Sequence, residues 1–191
     1  MRKYSKTVKK IFATLIISAI IITIILIYFY IGNNARNMGY STYSSEKEGV
    51  KALYLLSEKM GYKAVRYKKS SRFLPNDVIM VAILPQYERM NDPIEIKYLE
   101  NWLLRGNSMI LIDQKTNLIN YDIIKGRSKL DFASGFFSGS DNVYEVGEGF
   151  IVFFEKPTGF TNYGIKDYTE GINFIKTLDA LKEKTVYFNE Y

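Results

Sequence analysis

Histidine and cysteine are both absent from this chain, which removes most of the familiar catalytic devices. Without histidine no side chain has an ordinary pKa near neutrality. Without cysteine there is no thiolate nucleophile, disulfide or Cys-based metal site. Acid–base chemistry would fall to carboxylates. Asp113 stands at the carboxyl end of a predicted inner strand, where open α/β sheets place ligands. Glu190 closes the last predicted strand, and Asn162 lies in the loop after another. These three are the candidate binding residues. No catalytic residue, metal-ligand set or cofactor is assigned. The bland reading is that Asp113 and Asn162 cap or turn the chain while Glu190 is solvated.

Other spacings are better explained without chemistry. In Gly147-x-Gly149 the third position of a dinucleotide fingerprint falls at Val152, inside a predicted strand, and no helix follows. A hairpin turn accounts for both glycines. Ser44-x-x-Lys47 has serine–lysine nucleophile spacing, but a capping box, Ser45 with Glu48, already explains the serines. Arg66, Lys68, Lys69 and Arg72, with Tyr67 and Phe73 nearby, could meet an anionic polymer or lipid head groups, although such a run is more often a solvated face. The 16 tyrosines mostly occupy helix and strand positions, where core and half-buried roles suffice.

The elements that must position these residues alternate. After the capping box, Val50, Leu53, Leu56 and Met60 recur at helical spacing and Gly61 stops the helix. Residues 62–67 read as a strand, and residues 77–84 (DVIMVAIL) as an inner strand buried on both faces. Asp92-Pro93-Ile94-Glu95 opens a helix that turns Ile94, Tyr98, Leu99, Trp102 and Leu103 inward and closes at Arg105-Gly106. Residues 108–112 are the next strand, completing a βαβ unit. Residues 119–124 fit a short helix or strand, and residues 132–142 a Gly/Ser-rich loop whose Phe132, Phe136 and Phe137 could form an interface. Two hairpin strands follow at 143–146 and 150–154. A loop at 157–162 then precedes a helix at 168–181, with Ile172, Ile175, Leu178 and Leu181 inside, and a strand at 185–188. The fold class is α/β: a three-layer α/β/α domain with a mostly parallel sheet of five or six strands, preceded by a transmembrane helix.

That helix is read from residues 11–31, IFATLIISAIIITIILIYFYI, which are 21 residues without a charge. At about 1.5 Å each they span roughly 31 Å, one hydrocarbon core. Fourteen are Ile, Leu or Phe, favouring insertion by roughly 4–8 kcal/mol. Tyr28, Phe29 and Tyr30 suit the interface at one end. A cleaved signal would have a shorter apolar region and a small-x-small site, whereas bulky aromatics fill that place here. Arg2, Lys3, Lys6, Lys9 and Lys10 precede the span, which puts residues 1–10 in the cytoplasm and the domain outside. Residues 32–44 read as a polar tether and residues 45–191 as the extracytoplasmic domain. The net charge of +6 belongs mostly to the tail: without its five cations, 21 basic side chains face 20 acidic ones. The basic balance is therefore no evidence for a nucleic-acid surface, and no nucleic-acid partner is expected. The expected partners are the lipid bilayer, through residues 11–31, and other membrane proteins.

The segment order resembles an uncharacterised bacterial family, the domain-of-unknown-function family forty-three fifty. The matching pieces are Ser45 with residues 49–56 (GVKALYLL), residues 61–65 (GYKAV), 98–103 (YLENWL) with 106–111 (GNSMIL), 157–162, and 186–191 (VYFNEY). The resemblance implies a membrane-anchored, glutamine-amidotransferase-like α/β domain without established activity. Neighbourhood with a MoxR-type ATPase and von Willebrand-like proteins in such families implies assembly or transport in an ATPase-linked membrane complex. Amidotransferase chemistry needs a Cys nucleophile and a His base, so it does not carry over. Family members commonly continue past the Glu-Tyr pair, which implies a shortened member or a truncated reading frame. The reading is therefore a membrane-tethered, non-catalytic binding or assembly module whose partner meets the strand ends near Asp113 and Asn162. The alternative is a carboxylate-dependent extracytoplasmic enzyme acting on envelope glycans or another polymer.

Overall fold

A computed structural model describes residues 6–36, 39–85, 90–118, 120–127, 129–130, 140, 142–167 and 169–190. The chain divides into two compact units, Met1–Gly39 and Tyr40–Tyr191.

The first unit contains one helix, α1 (Lys6–Arg36). Its described side chains, residues 11–26, are all exposed, and nearly all are apolar. Two of its hydroxyls turn back on the helix: Ser18 donates to the Leu15 carbonyl at 2.9 Å and Thr23 to the Ala19 carbonyl at 2.9 Å. Among the described residues no helix is long and apolar enough to cross a membrane. The side chains described in α1 cover only part of the 11–31 span.

The second unit is a three-layer α/β domain. Its strands are β1 (Lys63–Tyr67), β2 (Ile79–Ile83), β3 (Ser108–Ile112), β4 (Asn142–Val146), β5 (Gly149–Phe154) and β6 (Thr185–Asn189). They form one sheet in the order β1-β6-β2-β3-β5-β4. Every pairing is parallel except the β4–β5 hairpin. Both β2 and β3 are buried along their whole length, in keeping with sequences that are apolar but for Ser108 at the start of β3. One face packs on α2 (Lys51–Lys59) and α5 (Thr169–Leu181) through Leu53, Phe174, Leu178 and Phe188. The other packs on α3 (Pro93–Leu104) through Leu99, Trp102 and Leu103. A one-turn helix, α4 (Lys115–Leu118), follows β3.

Several expectations need correction. The Ser45 capping box does not form: α2 begins at Lys51, and Val50 at its N-cap makes no side-chain bond. Ile94 and Ile172 were placed inward but are 64% and 51% exposed. Ile94 precedes the first buried residue of α3, Leu99, and Ile172 lies just outside the buried stripe of Gly171, Phe174, Ile175 and Leu178 on α5. Residues 120–124 form turns rather than a regular element, and the Phe132, Phe136 and Phe137 loop lies outside the described residues. The compact unit begins at Tyr40, so residues 40–44 belong to the domain and not to a tether.

The glycine pair at 147 and 149 has a packing explanation. Gly147 turns the hairpin at φ 64°, where an L side chain is strained. A Cβ on Gly149 would overlap the backbone carbonyl oxygens of Asn107 and Leu103. The hairpin therefore lies against the end of α3, whose last turn is finished by buried Asn107. Its amide donates to the Trp102 carbonyl at 2.7 Å, and its Oδ1 accepts from the Asp77 N–H at 2.9 Å.

Two measurements check this frame. Gly149→Ala must push α3 from the hairpin and should cost at least about 2 kcal/mol, a fall in Tm of roughly 4–8 °C; an unchanged Tm would refute the close approach. Glu183 is half-buried, its Oε2 accepts no hydrogen bond among the described residues, and burial pushes its carboxyl up, with Asp77 adding to the effect and a backbone N–H bond opposing it. A raised folded pKa means the contribution is fully present below the unfolded value of about 4.3 and is lost as pH rises through the folded value. Glu183→Gln should thus raise the urea midpoint at neutral pH, and the gain should vanish near pH 4; a gain that persists in acid would count against it.

Candidate functional site

The carboxyl end of the sheet is the place to look, because neighbouring β3 and β5 send their chains to opposite faces. After β3 the chain buries Tyr121, Ile123 and Ile124 in one core, and after β5 it buries Phe160 and Phe174 in the other. Open α/β sheets hold ligands at such a divergence. Asp113, Asn162 and Glu190 all sit at this end.

Here the end is covered by the chain itself. Residues 40–50 form a closed loop: the Tyr40 N–H donates to the Glu48 carbonyl at 2.9 Å, and the Val50 N–H to the Ser41 carbonyl at 3.0 Å. Gly49 lets the loop fold, since a Cβ there would overlap Ser44. Tyr40 takes a positive φ of 63°, a conformation costing a non-glycine residue roughly 1–3 kcal/mol unless its surroundings hold it. It packs against the core shared by α2 and α5. Burial pushes its phenol pKa up, with smaller contributions from Glu48 and then Asp113.

All three candidates are engaged within the protein. Asn162 holds the loop from the β5 side. Its Nδ2 donates to the carbonyls of Ser44 at 2.8 Å and Glu46 at 2.6 Å, and its backbone N–H donates to Gly49 at 2.6 Å. Its Oδ1 accepts from the Ala52 N–H at 2.7 Å. It is therefore the N-terminal cap of α2, delivered from 110 residues away. Glu190 holds the loop from the β6 side, accepting from the Ser41 hydroxyl at 2.7 Å, the Thr42 N–H at 2.9 Å and the Thr42 hydroxyl. The same Thr42 oxygen accepts from Arg66 Nε at 2.9 Å, so one hydroxyl links a carboxylate to a guanidinium.

Asp113 is 2% exposed. Its carboxylate accepts from the Gln114 N–H at 2.6 Å, from Asn117 Nδ2 at 2.9 Å and from the Tyr121 hydroxyl. It orders the turn after β3. Above it, Lys115 pairs with Glu155 at 3.0 Å across the ends of β3 and β5. For Asp113 and Asn162 the geometry is the capping arrangement; Glu190 is not solvated but locks the loop. The basic run is not a uniform solvated face either. Arg66 lies between the rings of Tyr43 at 4.5 Å and Tyr54 at 4.1 Å. Among the described residues no group of His, Cys, Asp or Glu could hold a metal ion.

The sequence reading missed a second feature. A groove of about 540 Å³ runs between α2 and α5. Half-exposed Leu55, Met60 and Ile172 line it, and among the described residues its charged lining is Lys59 and Lys176. The signal was present in Leu55 and Ile172, apolar residues just outside each helix's buried stripe. No family model matches the chain, and neither a curated protein nor a solved structure is detectably similar to it.

Asn162→Ala uncaps α2 and strands the Ser44 and Glu46 carbonyls, and should cost about 2–3 kcal/mol. Hydrogen exchange should quicken at Ala52 and through residues 40–50 before it does so in β3. Protection lost evenly across the sheet would contradict a local clasp.

Proposed function

We propose that the protein is a membrane-tethered, non-catalytic binding or assembly module, with α1 spanning the bilayer and the α/β domain outside the cell. One observation supports the non-catalytic part above others: the sheet edge where a ligand would sit is filled by residues 40–50, and Asp113, Asn162 and Glu190 are spent on internal hydrogen bonds. Freeing any of them for substrate would undo its own part of the domain. The tethering part rests on the uncharged apolar span and on the Ser18 and Thr23 hydroxyls, which bond to their own helix and so need no water. The cationic residues 1–10 support the orientation.

With the edge occupied, the partner surface moves to the α2/α5 groove. Its volume lies within the range of small-ligand pockets, but its half-exposed rim, Leu55, Met60 and Ile172, leaves apolar surface that a small ligand would not cover. An amphipathic helix suits it better, with its apolar stripe in the groove, its polar face in water and acidic flanks toward Lys59 and Lys176. The segment order that resembles a membrane-anchored family linked to ATPase complexes points the same way.

The full chain in native membranes should resist carbonate extraction. Replacing Ile17 and Ile21 by Lys costs about 2.5–3.5 kcal/mol each at mid-bilayer and should release it. A photo-crosslinker at Ile172 should give one discrete adduct, lost in the Lys59→Glu/Lys176→Glu double variant. Extraction of the unaltered chain would refute the tether; equal adducts from Ile172 and from Leu104 would refute the groove.

A further inference from the structure

Outside α1 and among the described residues, Tyr43, Phe73 and Tyr163 stand exposed in connections around the carboxyl edge of the sheet and Ile94 in the first turn of α3, all between 49% and 64% exposed. They come from four separate parts of the chain. Tyr43 lies in the 40–50 loop. Phe73 ends the short turn Ser71–Phe73 after β1. Ile94 lies in the first turn of α3, and the Glu95 carboxylate accepts from the Ser71 N–H at 2.7 Å, fastening that turn to the Phe73 turn. Tyr163 is held by its N–H on the Lys47 carbonyl at 3.1 Å.

Each of the three rings has a cation beside it. Lys68 lies 4.3 Å from the Tyr43 centroid and Arg72 5.8 Å from that of Phe73. Lys47 and Lys166 lie 6.0 and 5.5 Å from that of Tyr163. Exposed acids, Glu46, Glu48, Asp92 and Asp167, share the edge, so its field is only weakly positive. What it repeats is an aromatic ring with an adjoining long cation, the pairing that settles at a membrane–water interface. This is also the edge at which the chain enters the domain. Tyr40 is the first residue of the second unit, and only three residues separate it from Arg36, the last of α1.

We infer that this edge is a membrane-apposed face, which seats Tyr43, Phe73, Ile94 and Tyr163 among the head groups of a bilayer containing anionic phospholipid. The inference rests on α1 being a membrane anchor. It gives the 40–50 loop a second role: the loop that closes the sheet edge also presents Tyr43 and Lys47 to the lipid.

The absence of cysteine makes the test clean, since one introduced thiol is the only one. Full-length F73C, Y163C and, from the far end of α3, L104C are each labelled with an environment-sensitive dye. The chains are reconstituted in phosphatidylcholine vesicles with and without phosphatidylglycerol. Head-group nitroxide lipids should quench the dye at 73 and 163 but not at 104, more strongly with phosphatidylglycerol. K68Q and R72Q should each reduce the apposed population about fivefold in the anionic vesicles, with weaker losses at high salt. Dyes at 73 and 163 as wet as at 104, in chains that still resist carbonate extraction, would overturn this inference and leave the anchor standing. Chains released by carbonate would overturn both. A dye shift produced by a soluble anionic polymer and not by vesicles would move the face from lipid to polymer and overturn it as well.

Discussion

The domain depends on a constraint that a single asparagine satisfies. A helix that starts at a sheet edge leaves backbone N–H groups without partners, and a loop folded over that edge leaves carbonyls without partners. Asn162 has one acceptor and two donors on its side chain. It places the acceptor on the Ala52 N–H of α2 and both donors on the loop, at Ser44 and Glu46. No aliphatic residue of that size could do either, and aspartate could serve only the helix. The start of α2, the closure of residues 40–50 and the path of the chain after β5 are therefore one problem with one solution.

The closure changes what the fold can be used for. In an open α/β sheet the gap between diverging connections is vacant, and polar groups at the strand ends face whatever enters it. Here Glu190 and Arg66 meet on Thr42 rather than on a ligand. The two oppositely charged groups neutralise one another through a hydroxyl of the loop, so the edge offers neither a free anion nor a free cation at that point. The interactions left to the outside are apolar: a groove on one flank, and aromatic rings with their cations around the loop. Such surfaces recognise other macromolecules or lipids more readily than they perform bond chemistry.

Much of the secondary structure was legible because its causes are local. Residues 108–112 form β3 as expected since every side chain in SMILI tolerates burial on both faces. Asp92 and Pro93 start α3 because the aspartate accepts from the N–H of Ile94 at 2.8 Å and proline needs no donor partner there. The failures lie where the cause is distant. A serine followed by a glutamate three residues later looked like a cap, but the real cap came from residue 162, and no local spacing encodes that. Asp113, Asn162 and Glu190 were correctly placed at one end of the sheet, because strand ends can be read from the pattern. What they face could not be read: the occupant is a polar, Ser/Tyr-rich stretch whose composition resembles that of a linker.

The sheet order also shows why this edge closes as it does. β6 is the latest strand in sequence, yet it lies between β1 and β2, pairing with both in parallel. Until it inserts, β1 has no partner, since its only sheet neighbour is β6. Glu190 directly follows β6 and donates its N–H to Tyr67, at the end of β1, at 2.9 Å. The carboxylate that fixes Ser41 and Thr42 is thus positioned only by the strand that completes the sheet. Such long-range pairings must offset the entropy of closing the intervening chain before they contribute any stability. The Glu190 side of the loop can therefore be fixed only once β6 has joined β1, whereas Asn162 holds the other side from the connection after β5. A stretch that reads as a linker is ordered by contacts from residues more than 100 positions away.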